Sequence, residues 1–185
     1  MTDNAIYTPY KPISGELFNK LKNIKLLLSD VDGVLSDGKI YLTENGDEIK
    51  SFNAKDGFGI TAIQRINIPF GVITGRTSKI VEKRMTSLKV KHIHQGVVDK
   101  VPSLIEIAQM ENITLEQIAY IGDDVIDISI MEKVGLGFCP KDAHPLVKNA
   151  SNYICENNGG DGAVREVCDL ILLAHNSLSL KGASI

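Results

Sequence analysis

The feature that most constrains this chain is a rhythm, in which a short apolar run is followed by a segment of helical period, repeated from residue 24 to residue 174. Apolar runs at 24–29, 68–74, 91–94, 118–122 and 136–140, with a further one at 151–155, have the length of strands. Between them, 77–88, 100–110 and 125–134 carry apolar residues at three- and four-residue spacings, and 162–174 places Val164, Val167, Ile171 and Ala174 on one side. Pro102 suits a first helical turn, Thr114 with Gln117 makes a capping box, and Gly135 marks a stop. Strands alternating with helices imply an α/β fold, a doubly wound parallel sheet of Rossmann-like type.

One stretch breaks the rhythm. Residues 39–43 and 48–52 alternate partly and are joined by Glu44-Asn45-Gly46-Asp47, where Asn-Gly tolerates the positive φ of a hairpin turn. A small β-hairpin insertion at about 38–54 is therefore expected, and no cap domain. The 185 residues suit one domain, spanning 21–176, with an N-terminal extension at 1–20 and a mobile C-terminal tail at 177–185. The first dozen residues and the tail lack apolar periodicity, hence the expectation of mobility.

Charge excludes some partners. Twenty basic against 23 acidic residues, net −3, give no global field for nucleic acid or an anionic membrane, so any phosphate must be held locally. No apolar run approaches the roughly 20 residues needed to cross a bilayer, and the polar start MTDNAIYTPYKPISG lacks the pattern of an export signal. A cytoplasmic protein, binding neither nucleic acid nor membrane, is the expectation. Cys139, Cys155 and Cys168 form no CxxC pair and read as buried hydrophobes.

The chemistry concentrates where strands end. Leu26-Leu27-Leu28-Ser29-Asp30-Val31-Asp32-Gly33 closes a buried strand with two carboxylates, at the carboxyl edge where parallel sheets bind ligands. Strand alternation aims Asp30 and Asp32 to the same side, and their repulsion calls for a hard cation such as Mg²⁺. Alone, such a pair more often turns the chain. It is joined by Thr74-Gly75-Arg76, a hydroxyl and a glycine able to bond a phosphoryl oxygen, although Thr here also suits a helix cap. Lys100 sits in the first turn of its helix against the dipole, a placement that a phosphate beside it would make favourable. Gly122-Asp123-Asp124-Val125-Ile126-Asp127 ends another strand in a cluster of acids, whose alternative role is to cap the next helix. Arg76 and Arg84, eight apart on one helix, could pair a substrate carboxylate or form a solvated basic face. Gly59 could admit a substrate closely or simply begin a helix. His92 and His94 share a strand face without a third metal ligand.

Together these segments resemble the motifs of the haloacid dehalogenase superfamily of phosphotransferases, matched by Asp30-Val31-Asp32-Gly33, Thr74, Lys100 and Gly122 to Asp127. The likeness extends to a capless group acting on phosphates of eight- or nine-carbon sugar acids, through Asp56-Gly57-Phe58-Gly59-Ile60, Asp142-Ala143-His144-Pro145-Leu146 and Gly162 to Cys168. The resemblance implies Asp30 as nucleophile and Asp32 as acid and base. It also implies Asp30, Asp32 (by its carbonyl) and Asp123 as ligands of Mg²⁺, Thr74, Gly75 and Lys100 around phosphate, and Asp124 and Asp127 behind the metal. A homotetramer, a small sugar-acid phosphate as partner and a place in lipopolysaccharide precursor synthesis follow from it too. Asp161 departs from the family pattern, which has a basic residue there. A phosphoryl-receiver signalling domain is the alternative from another class, but there Lys follows every carboxylate, whereas Asp123 and Asp124 here come after Lys100.

Overall fold

The strands that carry the acidic motifs lie side by side in the middle of one sheet. The computed structural model describes residues 5–178. In chain order the elements are α1 (Gly15–Leu21), β1 (Leu26–Ser29), β2 (Tyr41–Leu42), β3 (Glu48–Ile49), α2 (Ala54–Arg65), β4 (Phe70–Ile73), α3 (Lys79–Ser87), β5 (His92–His94), α4 (Lys100–Glu111), β6 (Ile118–Ile121), α5 (Ile128–Met131), β7 (Leu136–Cys139), α6 (Pro145–Ala150), β8 (Tyr153–Ile154) and α7 (Ala163–Ala174). The main sheet is six-stranded and parallel, in the order β5-β4-β1-β6-β7-β8. The chain leaves β1 for β4 and β5 on one side and returns to β6 on the other. The reversal falls on β1, and such a switch point opens a crevice at the carboxyl ends of the strands.

Two cores explain why these runs are continuously apolar. Leu27, Phe70, Val72, Ala119, Ile121, Leu136 and Phe138 face a core shared with α2 and α7, while Leu26, Leu28, Ile73, Ile118, Tyr120 and Cys139 face one shared with α4, α5 and α6. Successive residues of a strand point to opposite faces, so a strand covered twice has no polar side. The hairpin is the exception: β2 and β3 form a separate antiparallel pair, turned at Gly46 with φ +83°, and their apolar side chains are exposed.

Several expectations need correction. The stretch expected as a loose N-terminal extension is packed from residue 5 onward: Ile6 and Ile13 exchange backbone hydrogen bonds, Tyr10 Oη donates to Asp169, and α1 buries Leu21. Short contacts to distant elements, rather than periodicity, hold it. Residues 179–185 of the expected tail lie outside the described residues, and the Ser177 N–H donates to the Leu172 carbonyl. The helix expected over 125–134 is a 3₁₀ turn, Val125–Asp127, followed by the single turn of α5. Its start is captured by carboxylates, since Asp127 accepts the N–H groups of Asp123 and Asp124. Helix α2 has no counterpart among the helices expected from periodicity. Gly57 and Gly59 lower its helix propensity, yet they let it lie close to its neighbours. A Cβ on Gly59 would sit 3.0 Å from Arg165 Cδ and Cys168 Cβ of α7. His144 caps α6, its Nδ1 accepting the Leu146 N–H at 3.2 Å.

Candidate active site

Asp30 follows β1, Thr74 follows β4 and Asp123 follows β6, so the three loops meet at one sheet edge in a cleft of about 240 Å³. Asp30, Asp32, Thr74, Gly75, Arg76, Asp123 and Asp124 all line it. The sheet fixes the two key loops against each other, because the Asp30 N–H donates to the Ile121 carbonyl at 3.0 Å. A larger cleft of about 490 Å³, bounded by Ile105, Ala108 and Ile113 on the α4 side, carries no titratable group and so offers no comparable chemistry.

Carboxylates and one ammonium are interleaved at the floor. Lys100, 1% exposed, places Nζ 3.1 Å from Asp30 Oδ2 and donates to Asp127 Oδ1 at 2.6 Å and Tyr120 Oη at 3.0 Å. Tyr120 Oη donates in turn to Asp127 Oδ1 at 2.6 Å. Asp30 Oδ1 accepts the Val31 N–H at 2.6 Å. Burial pushes the Asp30 carboxyl up; Lys100 opposes this and Asp127 adds to it. Burial, then Asp30, Asp127 and Asp124, push Asp123 up to about 8, with Lys100 opposing. Burial, then Asp127, Asp30 and Asp123, raise the Tyr120 phenol, which stays a donor.

Whether a cation fits can be judged from these groups. Oxygens of Asp30, Asp123 and Asp127 lie within 4.8 Å of one another, and Asp123 Oδ1 is buried with no hydrogen-bond partner. Both oxygens of Asp127 are already engaged, by Lys100 and Tyr120 on one and by two backbone N–H groups on the other. Asp30 and Asp123 line the cleft and Asp127 does not, so these two are the carboxylates that can meet a hard divalent ion, and the orphaned oxygen is what such an ion would satisfy. Asp127 shapes the loop from behind. Gly33, at φ +84°, has no room for a side chain, because a Cβ would lie 2.0 Å from Asp123 Oδ2.

The remaining sequence candidates divide. Thr74 is 2% exposed at the end of β4, and its backbone bonds His94 and Val97. Asp124 takes the helix-capping alternative, accepting the Val125 N–H at 2.7 Å while still lining the cleft. Arg76 reaches the cleft, but its guanidinium pairs with Glu48 of the hairpin at 2.7 Å. Arg84 is not brought to the cleft of its own chain; it lies over α2, where a Cβ on Gly57 would sit 2.4 Å from its Nη2. Gly59 is likewise away from the cleft, its missing side chain serving the packing of α2 on α7.

Sequence reasoning missed the hairpin's contribution. Glu48 and Lys50, two apart on an extended chain, both turn inward, Glu48 to Arg76 and Ser78, Lys50 to Asp32, while Ile49 between them is exposed. Charged residues at alternate positions of a hairpin beside an acidic motif were the signal. Tyr120 was read only as part of an apolar strand.

Fold and site define a class: an α/β protein whose sheet edge gathers carboxylates able to hold a cation around a buried lysine, an apparatus that phosphoryl transfer through an aspartate can use. A match to the haloacid dehalogenase-like hydrolases covers residues 73–167, and the chain belongs to that family. It is 47% identical, over 98% of this chain and 97% of the relative, to the 3-deoxy-D-manno-octulosonate 8-phosphate phosphatase of Salmonella typhi. The crystal structure of the phosphatase of that name from Yersinia pestis superposes with a TM-score of 0.94 at 44% identity, covering 96% of each chain. Its counterpart from Moraxella catarrhalis, solved with magnesium ion, phosphate ion and KDO, gives a TM-score of 0.85 at 41% identity over 88% of this chain and 94% of that one.

Proposed function

We propose that this chain is a magnesium-dependent phosphatase that hydrolyses 3-deoxy-D-manno-octulosonate 8-phosphate to the free sugar acid and phosphate, in lipopolysaccharide precursor synthesis. The observation that carries the chemistry is the orphaned Oδ1 of Asp123, within reach of the Asp30 carboxylate that Lys100 pairs. The relatives of Salmonella typhi and Moraxella catarrhalis support the substrate and the ion.

Asp30 attacks phosphorus in line, forming an aspartyl phosphate as the bond to the sugar oxygen breaks. Asp32 gives that oxygen a proton, then takes one from the water that releases phosphate and regenerates Asp30. Lys100, with the Thr74 hydroxyl and the Gly75 backbone, bonds the transferring oxygens, whose charge is the main thing a protein can act on. Magnesium, held by Asp30, Asp123 and the Asp32 carbonyl, supplies the positive charge that lets a dianionic ester approach two carboxylates. Asp124 and Asp127 orient this set from behind.

A homotetramer is part of the proposal. The hairpin offers Tyr41 and Ile49, paired across its two strands and 42% and 54% exposed, as an apolar face that a neighbouring subunit would cover. Arg84 would reach a substrate only across such an interface. No described helix is long and apolar enough to cross a membrane. The three cysteines are free and buried, which suits a reducing, cytoplasmic setting.

The test is phosphate release from eight-carbon and nine-carbon sugar-acid phosphates and from hexose phosphates, in Mg²⁺ and in EDTA. Preference for the eight-carbon ester, lost in EDTA, is expected. Preference for the nine-carbon ester would move the substrate by one carbon, and equal rates on all would remove the substrate assignment.

A further inference from the structure

Asp32 is held by a residue far from its own motif. Lys50, just beyond β3, reaches back so that Nζ bonds Asp32 Oδ1, and its side chain is only 3% exposed. Ser36 Oγ donates to the same oxygen at 3.3 Å. Both partners sit on Oδ1, which leaves Oδ2 to meet a substrate in the cleft that Asp32 lines. Lys50 itself does not line the cleft. It is anchored independently, because Glu48, on the same inward face of the hairpin, is tied to Arg76 at 2.7 Å and to Ser78 Oγ at 3.0 Å.

We propose that Lys50 is a positioning residue that locks the Asp32 side chain through Oδ1, so that Oδ2 alone handles the proton of the leaving oxygen. The inference rests on the reading of Asp32 as proton donor. An aspartate rotates about two side-chain bonds, and a carboxylate facing solvent on one side samples several orientations. A buried ammonium fixed from a second element removes that freedom. In phosphoryl transfer the O–P bond to Asp30 forms as the P–O bond to the leaving group breaks, and the Asp32 proton passes to the leaving oxygen. Lys50 takes no part in these bond changes, so it contributes only where a proton must arrive on line. The hairpin thereby becomes part of the catalytic apparatus, and anything that displaces it disturbs Asp32.

Leaving-group dependence provides the test. A p-nitrophenolate leaves without help from an acid, whereas phenolate and a sugar alkoxide need the proton. The readout is kcat/KM, which ends at departure of the leaving group and is blind to breakdown of the phosphoenzyme. For Lys50→Met the expectation is a loss of about 30- to 100-fold on phenyl phosphate and on the eight-carbon sugar-acid phosphate, against about threefold or less on p-nitrophenyl phosphate. Lys50→Arg recovers most of the loss, and adding Lys50→Met to Asp32→Asn costs nothing further on the poor leaving groups. Equal losses on all three esters, a rise in KM alone, or additivity with Asp32→Asn would each overturn the proposal. If Lys50→Met does not fold, Lys50→Gln against Lys50→Arg makes the same comparison. Should the wild type ignore the sugar-acid ester yet cleave the aryl esters, the substrate reading fails while the aryl pair still judges Lys50.

Discussion

Replacing Asp123 by asparagine exposes the conflict built into a metal site. Without a cation, Asp123 brings a charge toward Asp30 and Asp127 with one oxygen buried and unpartnered, and its carboxyl is pushed from 3.8 up to about 8. A carboxyl whose folded value is raised favours folding below the unfolded value and loses that contribution as pH rises from about 4 to about 8. Four units correspond to about 6 kcal/mol at roughly 1.4 kcal/mol each, a ceiling, because the group is only partly buried and solvent screens it. A realised gain of about 1 to 3 kcal/mol for Asp123→Asn at pH 8 in EDTA would raise the unfolding midpoint by about 3 to 10 °C for a chain of this size. Thermal unfolding of wild type and variant, in EDTA from pH 4 to pH 8.5 and again with Mg²⁺, reads it. The variant is expected to be the more stable at pH 8, the gap to close near pH 4, and Mg²⁺ to stabilise only the wild type. A gap that does not change with pH, or a variant less stable throughout, would show that Asp123 carries no uncompensated charge and refute the reasoning.

Gly33→Ala places a methyl 2.0 Å from Asp123 Oδ2 at φ +84°, so the carboxylate must move by more than an ångström. The expected result is at least a tenfold rise in the Mg²⁺ concentration that half-activates, alongside a backbone cost of about 1 to 2 kcal/mol, read by Mg²⁺ titration and thermal unfolding. Asp56, buried at the start of α2 with Oδ2 unpartnered, is pushed from 3.8 up to about 6, first by burial. Its contribution is lost as pH rises between those values, so Asp56→Asn should be more stable by about 1 to 2 kcal/mol at pH 8 and indistinguishable below pH 4, measured by denaturant unfolding. Ile49→Asp, on the outward face of the hairpin, should lower the assembly state in size-exclusion chromatography while each subunit keeps its fold.

The fold was readable in outline because each inner strand of the main sheet is covered on both faces, which makes it an unbroken apolar run. The run at 24–29 and the strand Leu26–Ser29 differ only at one end. The acids were readable because they follow such runs directly. What escaped depended on partners distant in sequence. Gly57 and Gly59 look like helix breakers until α7 and Arg84 occupy the space they leave. Lys50 is one charge among many in a polar hairpin until Asp32, 18 residues earlier, is found beneath it. Arg84 and Gly59 lie away from the cleft of their own chain for the converse reason, since helical spacing shows which face a residue shares but not which neighbour covers that face. Lys100 was read as a cation set against a helix dipole beside a phosphate; its buried stem and the three oxygens around its head were not readable, because Asp30, Tyr120 and Asp127 come from other elements.

The ladder between β1 and β6 pairs Ser29 with Ile121. Offsetting these strands by a single rung would carry Asp30 roughly 3.3 Å along the sheet and turn it to the opposite face, out of step with Asp123. A chain mispaired in this way could be compact and rich in sheet yet release no phosphate. Recovered turnover after refolding therefore reports on strand alignment with a sensitivity that circular dichroism lacks.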